Sequence, residues 1–420
     1  MRVLREGGGY SGRGAGALAL AVSALLLFTA AASFNANIQP AGEVYVVNPP
    51  QQVKCTAVWD FGSARVCRTP SPLGARGWHG ARLAVPPAAG YAPEGGVNIH
   101  IEVHGNSSLT GAGVVVAVVD TGIDYLHEAF DGAIEELWTV IYSTPGGTWL
   151  HWRVGVNGSL ADLASFDASV RSSRGEYAFM DENGHGTHVA GIIAGRRVGQ
   201  WRGMAPSASL LVVKMFNRNG EASVEDALNA LQLVYRLAGE RRVDVVNLSW
   251  GAPVLSDGED PISAAASAIA RDRGVIVVAA AGNDGNRPAS LSIPAAGKKV
   301  VAAGAVDPFT GKVAHFSSWG PTSDLRMKPD VVAAGVSIVG PRSSKSALPP
   351  YGGDPRLTRL SGTSMAAAVA SGVAALFVQA ARAAGLGGDM TEAFLAYTRF
   401  TRYNPYFKDF ITGVGLPMAP

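Results

Sequence analysis

A carboxylate, an imidazole and a hydroxyl stand out in this sequence because each sits where a strand pattern ends or a helix pattern begins. Asp120 closes the apolar run Val114-Val-Val-Ala-Val-Val119 and leads into Thr121-Gly122-Ile123-Asp124. His185 lies in Asn183-Gly184-His185-Gly186-Thr187-His188, a glycine-flexible turn that opens a helix. Ser364 lies in Ser361-Gly362-Thr363-Ser364-Met365-Ala366, at the first turn of a long apolar helix. A serine hydroxyl is a poor nucleophile alone; it needs an imidazole to take its proton and a carboxylate to orient that imidazole. A helix start adds unpaired N–H groups and a dipole that favour developing negative charge. The three residue types together point to acyl transfer. Singly, each has a plainer reading: Asp120 could cap a loop, Ser364 could cap a helix, and His185 with His188 could be two of three zinc ligands, although no third is apparent. His188, on the helix interior, reads as a packed residue.

The elements that must position these groups alternate. Val114–Val119, Leu210–Lys214, Val243–Leu248 and Val275–Ala279 are near-continuous apolar runs, the pattern of strands covered on both faces. Helical patterns run over His188–Arg196, Val224–Gly239, Ile262–Arg273 and Ser364–Ala384. The expected fold is therefore α/β, a doubly wound, mostly parallel sheet flanked by helices on both faces. Sites in such sheets lie beyond the carboxyl ends of the strands, where Asp120 falls. The polar stretch at about 131–181 reads as a surface insertion.

The chain order Asp, His, Ser and the blocks around all three residues resemble the subtilisin-like serine protease (subtilase) family, from about Gly77 to Leu416. Gly203-Met-Ala-Pro206 matches a further family block. Val246-Asn-Leu-Ser-Trp-Gly251 resembles the strand that pairs with extended peptide substrate, and Ala279-Ala-Ala-Gly-Asn283 the stretch carrying the oxyanion-hole asparagine. The resemblance implies a serine endopeptidase working through an acyl-enzyme. Ser364 would be the nucleophile, His185 the base then acid, Asp120 the orienting carboxylate and Asn283 the oxyanion donor. It also implies a primary specificity pocket walled by Ser249, Trp250, Gly251, Ala280, Ala281 and Gly282 with Ser292 near its floor; Trp250 has the alternative of a core residue and would otherwise narrow the neighbouring P4 site. With no carboxylate in these segments, apolar or aromatic residues are expected there rather than Lys or Arg. A catalytically silent peptide binder and a secreted serine esterase are the alternatives.

The sequence departs from the family in places. Ala368 and Val369 replace a Pro and a His after the serine block, and His127-Glu128 replaces His-Pro. At the usual strong calcium site stand Ala129 and Arg196-Arg197-Val198, so that site is expected to be lost; no cofactor is needed for the chemistry. Other carboxylates that a structural calcium could use are Asp257, Glu259 and Asp260, or Asp162, Asp167 and Asp181.

Composition sets the outer limits. Of 420 residues, 35 are Lys or Arg and 33 Asp or Glu, a net charge of +2 that supplies no basic field for nucleic acid. At 47% hydrophobic the chain is not disordered. The resemblance implies protein or peptide substrates, and a monomer is expected. Arg2, Arg5 and Arg13 precede the apolar run Ala17–Phe28 and then Ala30-Ala31-Ala32. Residues 1–32 read as a secretory signal peptide, the alternative being an uncleaved anchor, which implies a secreted or outer-face protein. Residues 33–76 read as an extension of low secondary-structure content, either a short prosegment or a permanent cap, ahead of a peptidase domain at 77–418. Within it Cys55 and Cys67 flank Asp60-Phe61-Gly62, a three-residue hairpin loop that would pair 55 with 67, 57 with 65 and 59 with 63. A Cys55–Cys67 disulfide is expected on that register, against two buried free thiols.

Overall fold

The computed structural model describes residues 44–49, 53–69, 77–79, 83–85, 108–141, 149–240, 243–285 and 287–401. The chain separates into a unit of residues 1–39 and a unit of residues 40–420. The expected signal segment lies outside the described residues. In chain order the described elements begin with β1 (Val44–Val47), β2 (Ala57–Asp60), β3 (Arg65–Thr69), β4 (Gly77–His79), β5 (Leu83–Ala84), β6 (Val115–Asp120), β7 (Ile134–Thr139), β8 (Leu150–Arg153), α1 (Leu160–Arg174) and α2 (His185–Ala194). They continue with β9 (Ser209–Lys214), β10 (Glu221–Ala222), α3 (Val224–Glu240), β11 (Val245–Leu248), α4 (Pro261–Arg273), β12 (Ile276–Ala280), β13 (Val300–Asp307), β14 (Lys312–Val313) and β15 (Val331–Ala334). The last are β16 (Ile338–Pro341), β17 (Leu357–Leu360), α5 (Thr363–Ala383) and α6 (Met390–Thr401).

Nine strands form the main sheet in the order β14-β13-β12-β11-β6-β9-β7-β8, with β15 also paired to β13. Every neighbouring pair is parallel except β13–β14 and β7–β8. Strand β6 shows why its run is apolar throughout. Val116 and Val118 enter the core shared with α2 and α5, whereas Ala117 and Val119 enter the core shared with α3 and α4. Both faces are covered, so alternation disappears from the sequence. Among the described residues one helix, α5, is long and apolar enough to cross a membrane, and it is 89% buried inside the protein.

Two expectations about organisation need correcting. The stretch 131–181 is not merely a surface appendage: β7 lies inside the sheet, parallel to β9, and β8 forms its edge. Glu136 on β7 is buried because it faces His151 and Arg153 of β8 at 3.3 and 3.7 Å and accepts from the Trp138 indole at 3.1 Å. The extension, too, carries strands among its described residues. Its strands form a four-stranded sheet, β2-β3-β1-β4, which reaches past residue 76 to His79.

This small sheet lies on α3 and α4. The Trp59 indole donates to Asn229 Oδ1 at 2.8 Å, Phe61 meets Tyr235 edge-on at 5.8 Å, and Arg68 pairs with Glu225 at 2.7 Å. Cys55 and Cys67 are joined, as expected. The hairpin register is not the expected one: Cys67 pairs with Val58, Trp59 with Val66, and Asp60 with Arg65. The turn is Phe61–Ala64, closed by Phe61 N–H donating to Ala64 O at 2.8 Å. The three-residue slip keeps both Trp59 and Phe61 fully buried against the helices, and burying two aromatic side chains outweighs a shorter loop.

Candidate active site

Parallel pairing aligns the carboxyl ends of β6, β11 and β12, so the segments that follow them meet at one edge of the sheet. Asp120 ends β6, Ser249 follows β11, and Asn283 follows β12. From α2 and α5, His185 and Ser364 come to the same edge. His185, Ser364 and Asn283 line one cleft of about 440 Å³, together with Leu360, Gly362 and Met365.

The His185 Nδ1–H donates to Asp120 Oδ1 at 2.8 Å, since a carboxylate can only accept. Asp120 Oδ1 also accepts the Thr121 N–H at 2.8 Å, which fixes the carboxylate plane. This tautomer leaves the Nε2 lone pair as the base. Close approach of the two elements needs a bare backbone. A Cβ on Gly186 would stand 2.3 Å from Gly122 O, and one on Gly122, at φ +105°, would stand 2.4 Å from Phe179 O. Burial disfavours the His185 cation, but Asp120, through charge and hydrogen bond, and then Asp181 outweigh it, so its pKa lies above 6.5.

Ser364 is the second residue of α5, whose N-cap is Gly362, so it is not a capping side chain. Its hydroxyl donates to Ser249 O at 2.8 Å, and the Ser249 hydroxyl donates to Ser364 O at 2.9 Å. Behind Ser249, Asn247 Nδ2 donates to its Oγ at 2.9 Å and Ser371 Oγ donates to Asn247 Oδ1 at 3.0 Å. Ala368 and Val369, where the family has Pro and His, lie within the unbroken helix α5 and are fully buried.

Asn283 Oδ1 accepts from Thr363 N–H at 2.9 Å and Thr363 Oγ1 at 2.8 Å. Both neighbours are donors, so the amide oxygen must face them and the –NH2 is left for the cleft. Gly362 leaves it room: a Cβ there would lie 3.2 Å from Asn283 Nδ2. His188, fully buried, points its Nε2 at Ile338 O at 3.1 Å; desolvation, with His185 nearby, lowers its pKa to about 3 and keeps it neutral.

The side chains at the expected specificity walls are largely buried. The Trp250 indole is in the core, donating to Val119 O at 2.9 Å and edge-on to Phe216 at 5.9 Å, so its side chain is no pocket wall. Ser292 sits between two strips of backbone, close to where Cβ atoms on Gly251 and Gly282 would be. Ser249, Ala280 and Ala281 are buried.

Sequence reasoning missed the occupant of the cleft edge. β5 pairs antiparallel with β10, and Ala84 exchanges both backbone hydrogen bonds with Gly251 at 3.3 Å. Val85 N–H then donates to Gly220 O at 3.1 Å, and Ala84 and Val85 line the cleft beside His185. The signal was slight: Leu83-Ala84-Val85 is three apolar residues before Pro86.

At the place expected to have lost calcium, a side chain supplies the cation. Arg196 N–H donates to Ala129 O at 2.6 Å, and its guanidinium donates to Pro206 O, to Ala208 O at 3.2 Å and to Gly132 O at 3.0 Å. These carbonyls face a fixed positive charge, which does not fit a metal ion. The other carboxylates have protein partners as well: Asp260 caps α4, Asp162 closes a capping box with Ser159, Asp167 accepts from three backbone N–H groups, and Glu259 pairs with Lys298. Among the described residues no three His, Cys, Asp or Glu cluster as a metal site. Arg196→Ala is expected to cost on the order of 2–3 kcal/mol, the worth of charge-assisted hydrogen bonds in a half-buried place, read as a lower melting temperature. Chelator should move the same melt little.

The family profile described as the subtilase family matches residues 111–412, which is most of the chain. The chain belongs to the subtilase family. Among curated subtilases and serine proteases it is 33% identical over 296 residues to serine protease AprX of Bacillus subtilis, covering 66% of this chain and 59% of that protein. It is 34% identical over 277 residues to subtilisin Savinase of Lederbergia lenta, covering 65% of this chain and 79% of that protein. It is 39% identical over 206 residues to the major intracellular serine protease of Bacillus subtilis, covering 48% and 57%. The chain thus spans under three fifths of several relatives' full lengths. Within the subtilase match lie Asp120, His185, Asn283 and Ser364; the small sheet of β1–β4 and strand β5 lie before it.

Proposed function

We propose that the protein is an exported, monomeric serine endopeptidase that cleaves protein or peptide substrates through an acyl-enzyme, with Asp120, His185 and Ser364 as its triad. The observation that carries this reading is the 2.8 Å Asp120–His185 contact opening onto a cleft shared with Ser364 and the Asn283 amide. A substrate carbonyl placed beside Ser364 would be attacked as the hydroxyl turns from Ser249 O to His185 Nε2. His185 takes the proton and returns it to the leaving amine, while Asp120 holds the ring and stabilises the imidazolium. The Ser364 N–H and Asn283 Nδ2 receive the oxyanion. Water then repeats the sequence on the acyl-enzyme. Because His185 must be neutral to act as base, its raised pKa moves the acid limb of kcat/KM to higher pH than an unperturbed histidine would give.

Gly220 and Gly251 offer strand edges on both sides of an extended peptide, the mode of β-augmentation. Leu83–Val85 shows the fit, since it already pairs with both. Strand β5 therefore reads as an intramolecular occupant of the cleft edge, preceded in the chain by the β1–β4 sheet on α3 and α4.

Reaction with a fluorophosphonate probe tests the whole reading. Stoichiometric modification of Ser364 together with casein hydrolysis supports it. Absence of labelling identifies a silent peptide binder, and ester hydrolysis with intact casein identifies an esterase. Ala84→Pro deletes the N–H that Gly251 O accepts, so labelling should be severalfold faster in that variant if the strand shields the cleft.

A further inference from the structure

Sixty-five residues separate Asp120 from His185 in the sequence, and one buried carboxylate joins the segments that hold them. Asp181 is fully buried between the end of β6 and the start of α2. Its Oδ1 accepts from Thr121 Oγ1 at 2.8 Å, Asn183 N at 3.0 Å and Gly184 N at 2.8 Å. Its Oδ2 accepts from Thr187 N at 2.8 Å and Thr187 Oγ1 at 2.7 Å. The two hydroxyls are themselves crossed between the elements. Thr121, next to Asp120, accepts the Gly186 N–H at 2.8 Å, and Thr187, two residues after His185, accepts the Asp124 N–H at 2.9 Å. The result is a clasp in which the strand end bearing Asp120 and the helix start bearing His185 are tied twice, with one carboxylate at the centre of both ties.

We infer that Asp181 is a positioning residue for the proposed reaction: it fixes the separation and orientation of Asp120 and His185, and its negative charge favours the imidazolium that forms when Ser364 gives up its proton. This rests on the serine-protease reading above. An additional carboxylate beyond the triad helps His185 hold its proton without touching it. The distinction from simple loop stabilisation lies in where the other charges are. Asp120 lies on the Nδ1 side of the ring; Lys214 ends β9 beside Asp120, with its Nζ donating to Met180 O at 2.8 Å; Asp124 receives Ser344 N–H on the far side; Glu221 stands at the cleft rim; and His188, on the same helix, is neutral. Of these, Asp181 alone is both buried and tied to the backbone on either side of His185.

Asparagine cannot replace it quietly. All five contacts are donors, so whichever oxygen becomes –NH2 faces at least one group with nothing to accept from it. Thr121→Val is the gentler probe, because it opens one tie and keeps the charge, and Thr121→Ser restores the hydroxyl.

The test measures kcat, KM and the pH dependence of both kcat/KM and the fluorophosphonate reaction, normalised to active sites. Asp181→Asn is expected to lower kcat by about 10²-fold with KM little changed, the loss that misplacing a catalytic pair brings. Its acid limb should move to lower pH, because removing a negative charge disfavours the His185 cation. Thr121→Val should lower kcat with the acid limb nearly in place, and Thr121→Ser should recover it. An Asp181→Asn enzyme that loses only the fraction of active molecules, with kcat per active site and acid limb unchanged, would show a merely structural residue and overturn the inference. If Asp181→Asn does not fold, the threonine pair decides: a Thr121→Val enzyme of full kcat overturns it, and a Ser-rescued loss supports it. An unsubstituted protein that neither labels nor hydrolyses peptide refutes the underlying reading itself, and the inference with it.

Discussion

Alanine at Ser364 or at His185 is expected to lower kcat by about 10⁶, and alanine at Asp120 by about 10⁴; these magnitudes are those of subtilisin, transferred here through family membership. Proton transfer, attack and imidazole orientation share one transition state, so deleting either end of the proton path removes the whole step. Asp120 is milder because a ring without its carboxylate still reaches the productive orientation part of the time. The double variant Ser364→Ala/His185→Ala should lose little more than either single one, and that non-additivity is the signature of a unit. The measurement is single-turnover hydrolysis of a peptide in preparations freed of contaminating protease. Substantial activity retained by Ser364→Ala would remove the nucleophile assignment and the mechanism with it. Alanine at His188, which is neutral and bound to Ile338 O, should instead alter stability and leave kcat of the folded enzyme near its original value.

The second large effect is at the oxyanion. Asn283→Ala should reduce kcat by about 10²–10³, with KM little changed, because the lost donor acts on charge that exists only in the transition state. On this reading asparagine has two duties here, and alanine removes both: besides the oxyanion donor, Thr363 N–H and Oγ1 lose the oxygen they donate to. Asn283→Asp separates them. An aspartate keeps the acceptor for Thr363, so the start of α5 stays in place, yet it turns an acceptor and a negative charge toward the developing oxyanion. The aspartate variant should therefore be the better folded of the two and the poorer catalyst. Equal kcat for both would mean that Asn283 works through Thr363 rather than on the substrate.

The parts of the molecule legible in the sequence were those whose signal is local. Strand β6 announces itself because both its faces are buried, and α5 because its apolar positions run right round the helix. Asp120, His185, Ser364 and Asn283 were found from short blocks at element ends, and the structure brings all four to one edge of the sheet. Strand β7 was missed because Glu135 and Glu136 interrupt its run, and what makes Glu136 tolerable, His151 and Arg153, lies across a hairpin on β8. The Cys55–Cys67 pair was found while its register was not, since the register depends on Trp59 and Phe61 fitting helices more than 160 residues away. Trp250 was read either as a pocket wall or as core, and its indole, just past β11, enters the core and donates to Val119 O. Asp181 was read only as a carboxylate that a structural calcium could use; nothing nearby in sequence tells that Thr121, sixty residues earlier, will donate to it.

Strand β5 belongs to the same polypeptide as the cleft whose edges it pairs with, and this changes the arithmetic of competition. A tethered segment is present at an effective concentration on the order of millimolar, whatever the dilution of the protein. A short peptide that makes the same backbone hydrogen bonds must exceed that level to displace it, so on the endopeptidase reading weak substrates should be refused and long ones that gain contacts beyond Gly220 and Gly251 admitted. One cut in the chain between Val85 and Ser108 would abolish the tether. Closure would then depend on the amount of enzyme in solution, and dilution alone would open the cleft.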